Sequence, residues 1–380
     1  MNNTKEIKRM NIKKRALILL MNALNLKCSD ELIPQIEFVL EKLENESFED
    51  MLLYDVKDEW LREIMDSANK KMNKIDENFS IDPLNATPLQ KISCYQISSI
   101  AVDCDVSLRN IIIYALGFNL SDAIIEPQKS GSQKFCLLGK EFRYQGDTMN
   151  SYNTTVNEFL RLFGDDTKYP KILKINLGKV NYGKLMPCNG YSWHECILNN
   201  YDHFKDILPY SARAFIRLNH TIGNFLPVPF QSKTSSFNSP RGLGSTKDYW
   251  DLTLLHIYNW YIANSDMDAN SHLSAIVKTD ENIELCKAWL KSFTNNIGEP
   301  SWNAFVEENF LEDFVIFDTE TICYREPKEL WSGHFNGNIL PQNKADFEQF
   351  FTNASAWILA RGSRIVSKVK MELENAKANI

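Results

Sequence analysis

Apolar side chains recur at three- and four-residue spacing along much of the chain, and this period predicts amphipathic helices. In the first 72 residues the repeat is clearest at Leu53, Val56 and Trp60. The stretch at 73–88 is polar, carries two prolines and breaks the pattern. We therefore predict an N-terminal helical domain over residues 1–90.

Beyond this boundary the pattern becomes mixed. Short apolar runs between glycine and proline at 134–144 and 170–180 predict strands. Longer periodic stretches predict helices over 152–163, 208–220, 248–262, 281–294, 302–317 and 344–373. The fold class expected from this is α+β and predominantly α-helical: the N-terminal helical domain, plus a larger mixed domain with few strands over 91–380.

Composition and charge limit which ligands, compartments and membranes the protein is expected to encounter. The chain has 380 residues, 44% hydrophobic residues and a net charge of −7, so any nucleic-acid site has to be a local basic patch. Its eight cysteines form no CxxC motif, which favours a reduced, cytoplasmic protein. The apolar run that follows the basic N-terminus is too short to cross a bilayer, so no membrane partner is expected.

The polar segment "NHTIGNFLPVP" at 219–229 is the strongest candidate for chemistry. It contains His220 and Asn224, and Gly223 is expected to end the preceding helix or to permit a turn with positive φ. A long polar loop follows, with Asn238 and Arg241 in "FNSPRG". Loops of this length inside a compact domain are usually functional or mobile. We expect these side chains to line a pocket for a phosphate-bearing ligand, nucleic acid or nucleotide, where the loop meets the helices from 248 and 355.

Several motifs in order resemble a bacterial family of uncharacterised proteins, known only as a domain of unknown function. The resemblance begins near "GDTMNSYNTTVNEFLRLF" at 146–163 and continues through "TIGNFLPVP" at 221–229. It ends near "ILARGSRI" at 358–365 and covers roughly 120–366. This family implies no activity.

The same segment, with the C-terminal "AWILARGSRIVSKV", is remotely similar to the HNH-type nuclease domain of modification-dependent restriction endonucleases. That similarity implies a metal-dependent nuclease in which His220 and Asn238 are catalytic, and His220 and Asn224 hold a divalent metal such as Mg²⁺. Asn224, Arg241 and Arg361 would then bind the substrate. A role in phage defence or as a toxin is the context that it suggests. The strand that carries the general-base histidine in that family has no clean equivalent here, so a degenerate site is expected.

Structural interpretations of the same residues stay open. His220 at a helix end can satisfy terminal carbonyls. Arg361 and Arg364 can pair with core carboxylates such as Asp251.

Three further interpretations are alternatives. Residues 97–117 fit the spacing of a helix-turn-helix regulator in which Arg109 and Asn110 would reach DNA. The stretch "FVIFDTET" at 314–321 is similar to the first motif of DEDD-type exonucleases, with Asp318 and Glu320 as metal ligands on one strand face. The protein could also be a non-enzymatic interaction module whose N-terminal helical domain docks a protein partner.

Overall fold

A computed structural model provides the coordinates of the protein. The residues that the structure describes are 27–28, 69–70, 73–74, 77, 80, 124–126, 134–136, 143–149, 155, 158–159, 162–163, 175–177, 180–182, 205, 208–218, 222–230, 249–337 and 340–378. Most of the described chain therefore lies in its C-terminal half.

The described strands form one five-stranded sheet and two small hairpins. The sheet has the order β1–β2–β3–β4–β7, with β1 at Lys27–Cys28, β2 at Ile124–Glu126, β3 at Lys134–Cys136, β4 at Arg143–Thr148 and β7 at Phe225–Phe230. One hairpin joins β5 at Ile175–Leu177 to β6 at Val180–Tyr182, and the other joins β8 at Val315–Asp318 to β9 at Cys323–Pro327.

Strand β7 holds the polar segment in the sheet. It pairs antiparallel with β4 over six positions, from Arg143 opposite Phe230 to Thr148 opposite Phe225. Its two prolines, at 227 and 229, have no N–H to donate. Because β7 lies at one edge of the described sheet, these positions are compatible with pairing on one side only.

Six α-helices are the main elements of the described chain. They are α1 at Tyr210–Leu218, α2 at Trp250–Ile262, α3 at Asp266–Ile276, α4 at Asp280–Leu290, α5 at Trp302–Glu308 and α6 at Lys344–Ala378. Three of them begin at a residue whose hydroxyl accepts a hydrogen bond from a backbone N–H of the first turn. These N-caps are Ser265, Thr279 and Ser301. The helix boundaries in this half of the chain thus have local chemical causes.

The core around α6 is aromatic. Phe350 packs edge-on against Phe215 of α1, with 5.1 Å between ring centroids, and Phe347 packs likewise against Phe159 at 4.9 Å. All four side chains are buried. This packing fixes the N-terminal half of the long helix against α1 and the residues that precede it.

The helix-dominated α+β class is confirmed, as are the predicted helices at 208–220 and 248–262. The prediction of one helix over 302–317 is wrong after Glu308, because the chain turns there and continues into β8. Helix α3 was not predicted. The boundary near residue 90 and most of the N-terminal helical domain lie outside the described residues. In the part of the chain that is described, no helix has the length and apolar character that crossing a membrane requires.

Candidate functional site

The short 3-10 turn Ile222–Asn224 lies directly on helix α6, and Gly223 is the residue at the contact. A Cβ atom at this position would overlap the carbonyl oxygen of Ile358 and lie 3.0 Å from the backbone nitrogen of Gly362. Only glycine permits this approach. The expectation that Gly223 ends the preceding helix or permits a positive φ is therefore wrong. Helix α1 ends earlier, at Leu218, and the backbone at 223 does not have a positive φ.

Arg361 of α6 forms a hydrogen bond to the same turn. Its side chain is fully buried. Its Nη1 donates to the carbonyl of Gly223 at 2.9 Å, and its Nε donates to the carbonyl of Asn309 at 3.0 Å. Burial lowers the pKa of the guanidinium to about 9, and the carboxylate of Glu312 opposes that shift. Arg361 thus joins three segments that are far apart in the sequence.

The second carbonyl that Arg361 binds belongs to the C-terminal cap of α5. Beyond Asn309 the chain closes a Schellman motif, in which Phe310 N–H donates to Glu307 and Leu311 N–H donates to Val306. Phe310 takes the left-handed conformation, with φ of 57°, where glycine is the usual residue. The arginine supplies a donor to a carbonyl that a helix end leaves without one.

Asn224 lies at the junction of the turn and the sheet. It is fully buried, and its backbone carbonyl accepts a hydrogen bond from Met149 N–H at 2.6 Å. The next residue, Phe225, already pairs with Thr148 at the end of β4. The structure therefore brings two predicted site residues, Asn224 and Arg361, to adjoining positions on either side of Gly223.

Tyr249, the first described residue after β7, is a second buried anchor; the segment 231–248 between them lies outside the described residues. Tyr249 is fully buried, and its hydroxyl accepts a hydrogen bond from the Thr155 hydroxyl at 3.4 Å. The ring of Tyr249 also packs edge-on against Trp331, with centroids 5.1 Å apart. Strand β7 before this segment is thus held by pairing with β4, and Tyr249 after it is held in the core.

A buried carboxylate–imidazole pair lies two residues further on. Asp251 Oδ2 is 2.5 Å from His334 Nδ1, and both side chains are fully buried. Backbone N–H groups also donate to the carboxylate, Leu330 to Oδ2 and Leu252 to Oδ1, each at 2.8 Å. The stacked ring of Trp331 covers the imidazole, with 3.4 Å between centroids.

The Asp251–His334 pair connects two segments of the chain and fixes the imidazole ring. Asp251 accepts three hydrogen bonds and so ties the start of α2 to the loop that carries His334. The Nε2 atom of His334 is buried and has no hydrogen-bond partner among the described residues. The carboxylate on Nδ1 fixes the orientation of the imidazole ring.

The sequence reading did not single out His334. Its signal is local: the histidine stands in "WSGHFNGN", between Gly333 and Gly337, and both of these glycines have positive φ. The expected pairing of Asp251 with Arg361 or Arg364 is wrong, because Asp251 binds His334. Arg364 Nε instead donates to Asp313 at 2.8 Å.

The exonuclease-like stretch folds as a hairpin. Strand β8 ends at Asp318, whose Oδ1 accepts from the backbone N–H of Glu320 at 2.9 Å. Glu320 therefore lies in the turn and is exposed, and the expected placement of both carboxylates on one strand face is wrong. Among the residues that the structure describes, no group of three or more His, Cys, Asp or Glu side chains is placed to hold a metal ion.

Three of the predicted site residues, His220, Asn238 and Arg241, lie outside the described residues, as does the helix-turn-helix candidate at 97–117. Their roles stay predictions. So do metal binding by Asn224 and substrate binding by Asn224 and Arg361, although both Arg361 nitrogens described above already donate to carbonyls.

Comparison with known proteins gives one match. No curated protein and no solved structure matches the chain. The model of a family of unknown function, DUF6994, matches residues 148–365, more than half of the chain. The match contains the Gly223 turn, Arg361 and the Asp251–His334 pair, and it confirms the expected resemblance to an uncharacterised family. The chain belongs to this family of unknown function, DUF6994.

Proposed function

We propose that the protein binds a phosphate-bearing ligand, nucleic acid or nucleotide, through the segment 231–248, which the sequence predicts to be a loop. The observation that carries the proposal is the attachment of this loop. Buried Asn224 and the pairing of β7 with β4 anchor the chain before it, and buried Tyr249 and Asp251 anchor the chain after it. Binding loops are typically held in this way by a rigid scaffold.

The composition of the loop supports an anionic ligand. Within 231–248 the cations are Lys233, Arg241 and Lys247, and the one carboxylate is Asp248, in a chain whose net charge is −7. The loop also contains five serines and two threonines, whose hydroxyl groups donate hydrogen bonds to phosphate oxygens. It is thus a local basic and hydroxyl-rich segment in an acidic protein.

Arg241 is the residue that we assign to the phosphate. Arginine binds phosphate with two parallel hydrogen bonds, and a position between Pro240 and Gly242 restricts the backbone before it and leaves the backbone after it free to approach a ligand. Arg361 has a structural role in this proposal, because it donates a hydrogen bond to the carbonyl of Gly223 and so fixes the turn that precedes β7.

A more specific version of this proposal, its finer form, is that the protein is a nuclease. His220 and Asn238 would carry it, with a divalent metal such as Mg²⁺ held by His220 and Asn224. A part in defence against phage belongs to the same finer form, since it rests on the sequence resemblance to restriction endonucleases. A cytoplasmic location is a separate proposal, which rests on the eight cysteines without a CxxC motif.

The test is a fluorescence-anisotropy titration of the full chain with a labelled single-stranded oligonucleotide, a labelled duplex and a labelled ATP analogue. Arg241→Ala should weaken binding of the ligand that the wild type takes by about tenfold, the loss expected from one bidentate phosphate contact. Lys278→Ala is the control, because Lys278 is exposed and lies outside the loop. Equal affinities for wild type and Arg241→Ala, or no binding of any of the three probes, would refute the proposal.

The nuclease form has a separate readout. Wild-type protein with Mg²⁺ should cleave the bound oligonucleotide, and His220→Ala should abolish cleavage while binding persists. Binding without cleavage would leave the loop proposal standing and remove the nuclease.

A further inference from the structure

The hairpin of β8 and β9 exposes more apolar surface than its small size predicts. Ile316 and Phe317 of β8 are 42% and 47% exposed, and Ile322 in the turn is 75% exposed. Phe317 packs across the hairpin against Tyr324, with 5.2 Å between ring centroids. Because consecutive side chains of a strand point to opposite faces, the exposed apolar patch of Ile316, Phe317 and Ile322 spans both faces and the turn of the hairpin. Exposed apolar surface of this kind marks interaction surfaces.

The two edges of this hairpin differ. On the β9 side, helix α5 covers the backbone: Trp302 Nε1 donates to the carbonyl of Arg325 at 3.1 Å, and Tyr324 N–H donates to Asn303 Oδ1 at 3.0 Å. On the other side, β8 has no strand partner among the described residues. Open edges are usually protected by lysine, proline or an inward charge, and β8 reads "VIFD".

The turn also stores strain. Ile322 has a φ of 53°, a left-handed conformation that a β-branched residue rarely adopts. Asp318 holds the turn in place, because its Oδ1 accepts from the N–H groups of Glu320 and Thr321. Strain of this kind, about 1–3 kcal/mol, is typically found at functional positions. Its effect here is to keep an isoleucine in solvent beside the patch.

The charges around the patch are acidic. Between 312 and 329 the sequence has six carboxylates and two cations. Arg364 of α6 pairs with Glu312 and Asp313, so the excess of carboxylates is smaller than this count but remains acidic. Arg325 pairs with Asp318 at 3.3 Å, whereas Glu320 at the tip has no cation near it in the described structure. The complement of this surface is a segment that is both apolar and basic.

We propose that the β8–β9 hairpin is a docking site for an extended peptide segment of another protein, one that alternates apolar and basic residues. The segment adds to the open edge of β8 as a third strand. Its apolar side chains lie on the face of Phe317, and its basic side chains lie on the opposite face, where they reach Asp318. Backbone hydrogen bonds supply affinity and the charges supply specificity.

A second copy of the chain fits this edge less well than a basic segment does. Strand β8 has four residues, so self-pairing would bury far less than the roughly 1,200 Å² of a stable dimer interface, whereas only weak binding is expected of a docked peptide. Each copy would also bring a net charge of −7 and an acidic turn to the contact.

The probe is a fluorescein-labelled octapeptide that alternates lysine and isoleucine, titrated against the full chain by anisotropy. Saturable binding is expected below about 1 mM, the weak end of specific association. Two control peptides separate the contributions. One replaces each lysine by glutamate, and the other methylates alternate backbone nitrogens, which removes donors for strand pairing but keeps the side chains. Both should bind at least about tenfold more weakly.

Matched variants locate the site. Ile322→Lys and Ile316→Lys place a positive charge in the patch and should weaken binding of the lysine peptide at least about tenfold. Ile297→Lys is the control, because Ile297 is 77% exposed and lies in a different turn. This variant should bind the lysine peptide with the same affinity as the wild type. Thermal denaturation confirms that each variant is folded.

Four results would overturn the proposal. They are the absence of saturable binding, equal binding of the glutamate peptide, full binding of the backbone-methylated peptide, and equal affinities for Ile322→Lys and Ile297→Lys. Concentration-dependent dimers in sedimentation that Ile316→Lys abolishes, without peptide binding, would assign the edge to a second copy instead.

Discussion

Replacement of Arg361 by alanine tests the structural account at its most connected residue. The change removes the donors to the carbonyls of Gly223 and Asn309, and a buried acceptor without a donor costs about 1–3 kcal/mol. It also empties the volume of a fully buried side chain. Relief from holding a charge in the core offsets part of this loss. We expect Arg361→Ala to lower the free energy of unfolding by about 3 kcal/mol or more.

Arg364→Ala is the matched control, since it removes the same side chain from the same helix one turn later. The Arg364 side chain is 45% exposed, and its Nε is 2.8 Å from Asp313 Oδ2 and 3.7 Å from Glu312 Oε2. An exposed pair of this kind contributes less than about 1 kcal/mol. Urea denaturation of the full chain, followed by tryptophan fluorescence, gives the midpoint and slope for each variant.

Arg361→Met separates the two causes. Methionine fills much of the volume but donates no hydrogen bond, so it should recover the packing loss and leave the loss from the two carbonyls. If Arg361→Ala destabilises the protein no more than Arg364→Ala does, the three-segment connection through Arg361 does not contribute to stability and the reasoning is refuted.

Three other perturbations follow from the same structure. Gly223→Ala should lower the melting temperature by about 6–12 °C, because the added methyl group overlaps the carbonyl oxygen of Ile358 and a loss of about 3 kcal/mol shifts a domain of roughly 200 residues by that much. An unchanged melting temperature would contradict the close approach. Asp251→Ala should lower the free energy of unfolding by about 3 kcal/mol or more in urea, since it leaves His334 Nδ1 and two backbone N–H groups without an acceptor; a loss below about 1 kcal/mol would contradict this. Burial, with a smaller contribution from a neighbouring histidine, lowers the pKa of His256 to about 4. The unfolded chain therefore takes up this proton at a higher pH than the folded chain does, and stability should fall as the pH drops from 6.5 towards 4. His256→Gln should flatten that part of the urea-stability profile, and an unaltered profile would contradict this explanation.

The sequence predicted those features that depend on neighbouring residues. Helix α1 follows Pro209 and shows a strong apolar stripe, and α2 is recognisable from the inward positions of Leu252 and Ile257. The predicted helix over 302–317 was too long because "FLEDFVIF" stays apolar after the cap. The cap itself has a phenylalanine in the left-handed position where a glycine would have marked the end of the helix.

The contacts around the candidate site could not be predicted, because they join residues far apart in the chain. Gly223 reads as a turn residue until the backbone of α6 is known to lie against it. Arg361 reads as a phosphate ligand or a partner for carboxylates, and its carbonyl acceptors appear only in the fold. His334 finds Asp251 across 83 positions of sequence.

The salt dependence of oligonucleotide binding tests the central claim most directly. The logarithm of the binding constant falls linearly with the logarithm of salt concentration, and the slope reports the number of phosphates neutralised. If Arg241 on the anchored loop contacts phosphate, Arg241→Ala should reduce that slope by about one and Lys278→Ala should leave it unchanged. Identical slopes for wild type and Arg241→Ala would contradict phosphate binding by this loop.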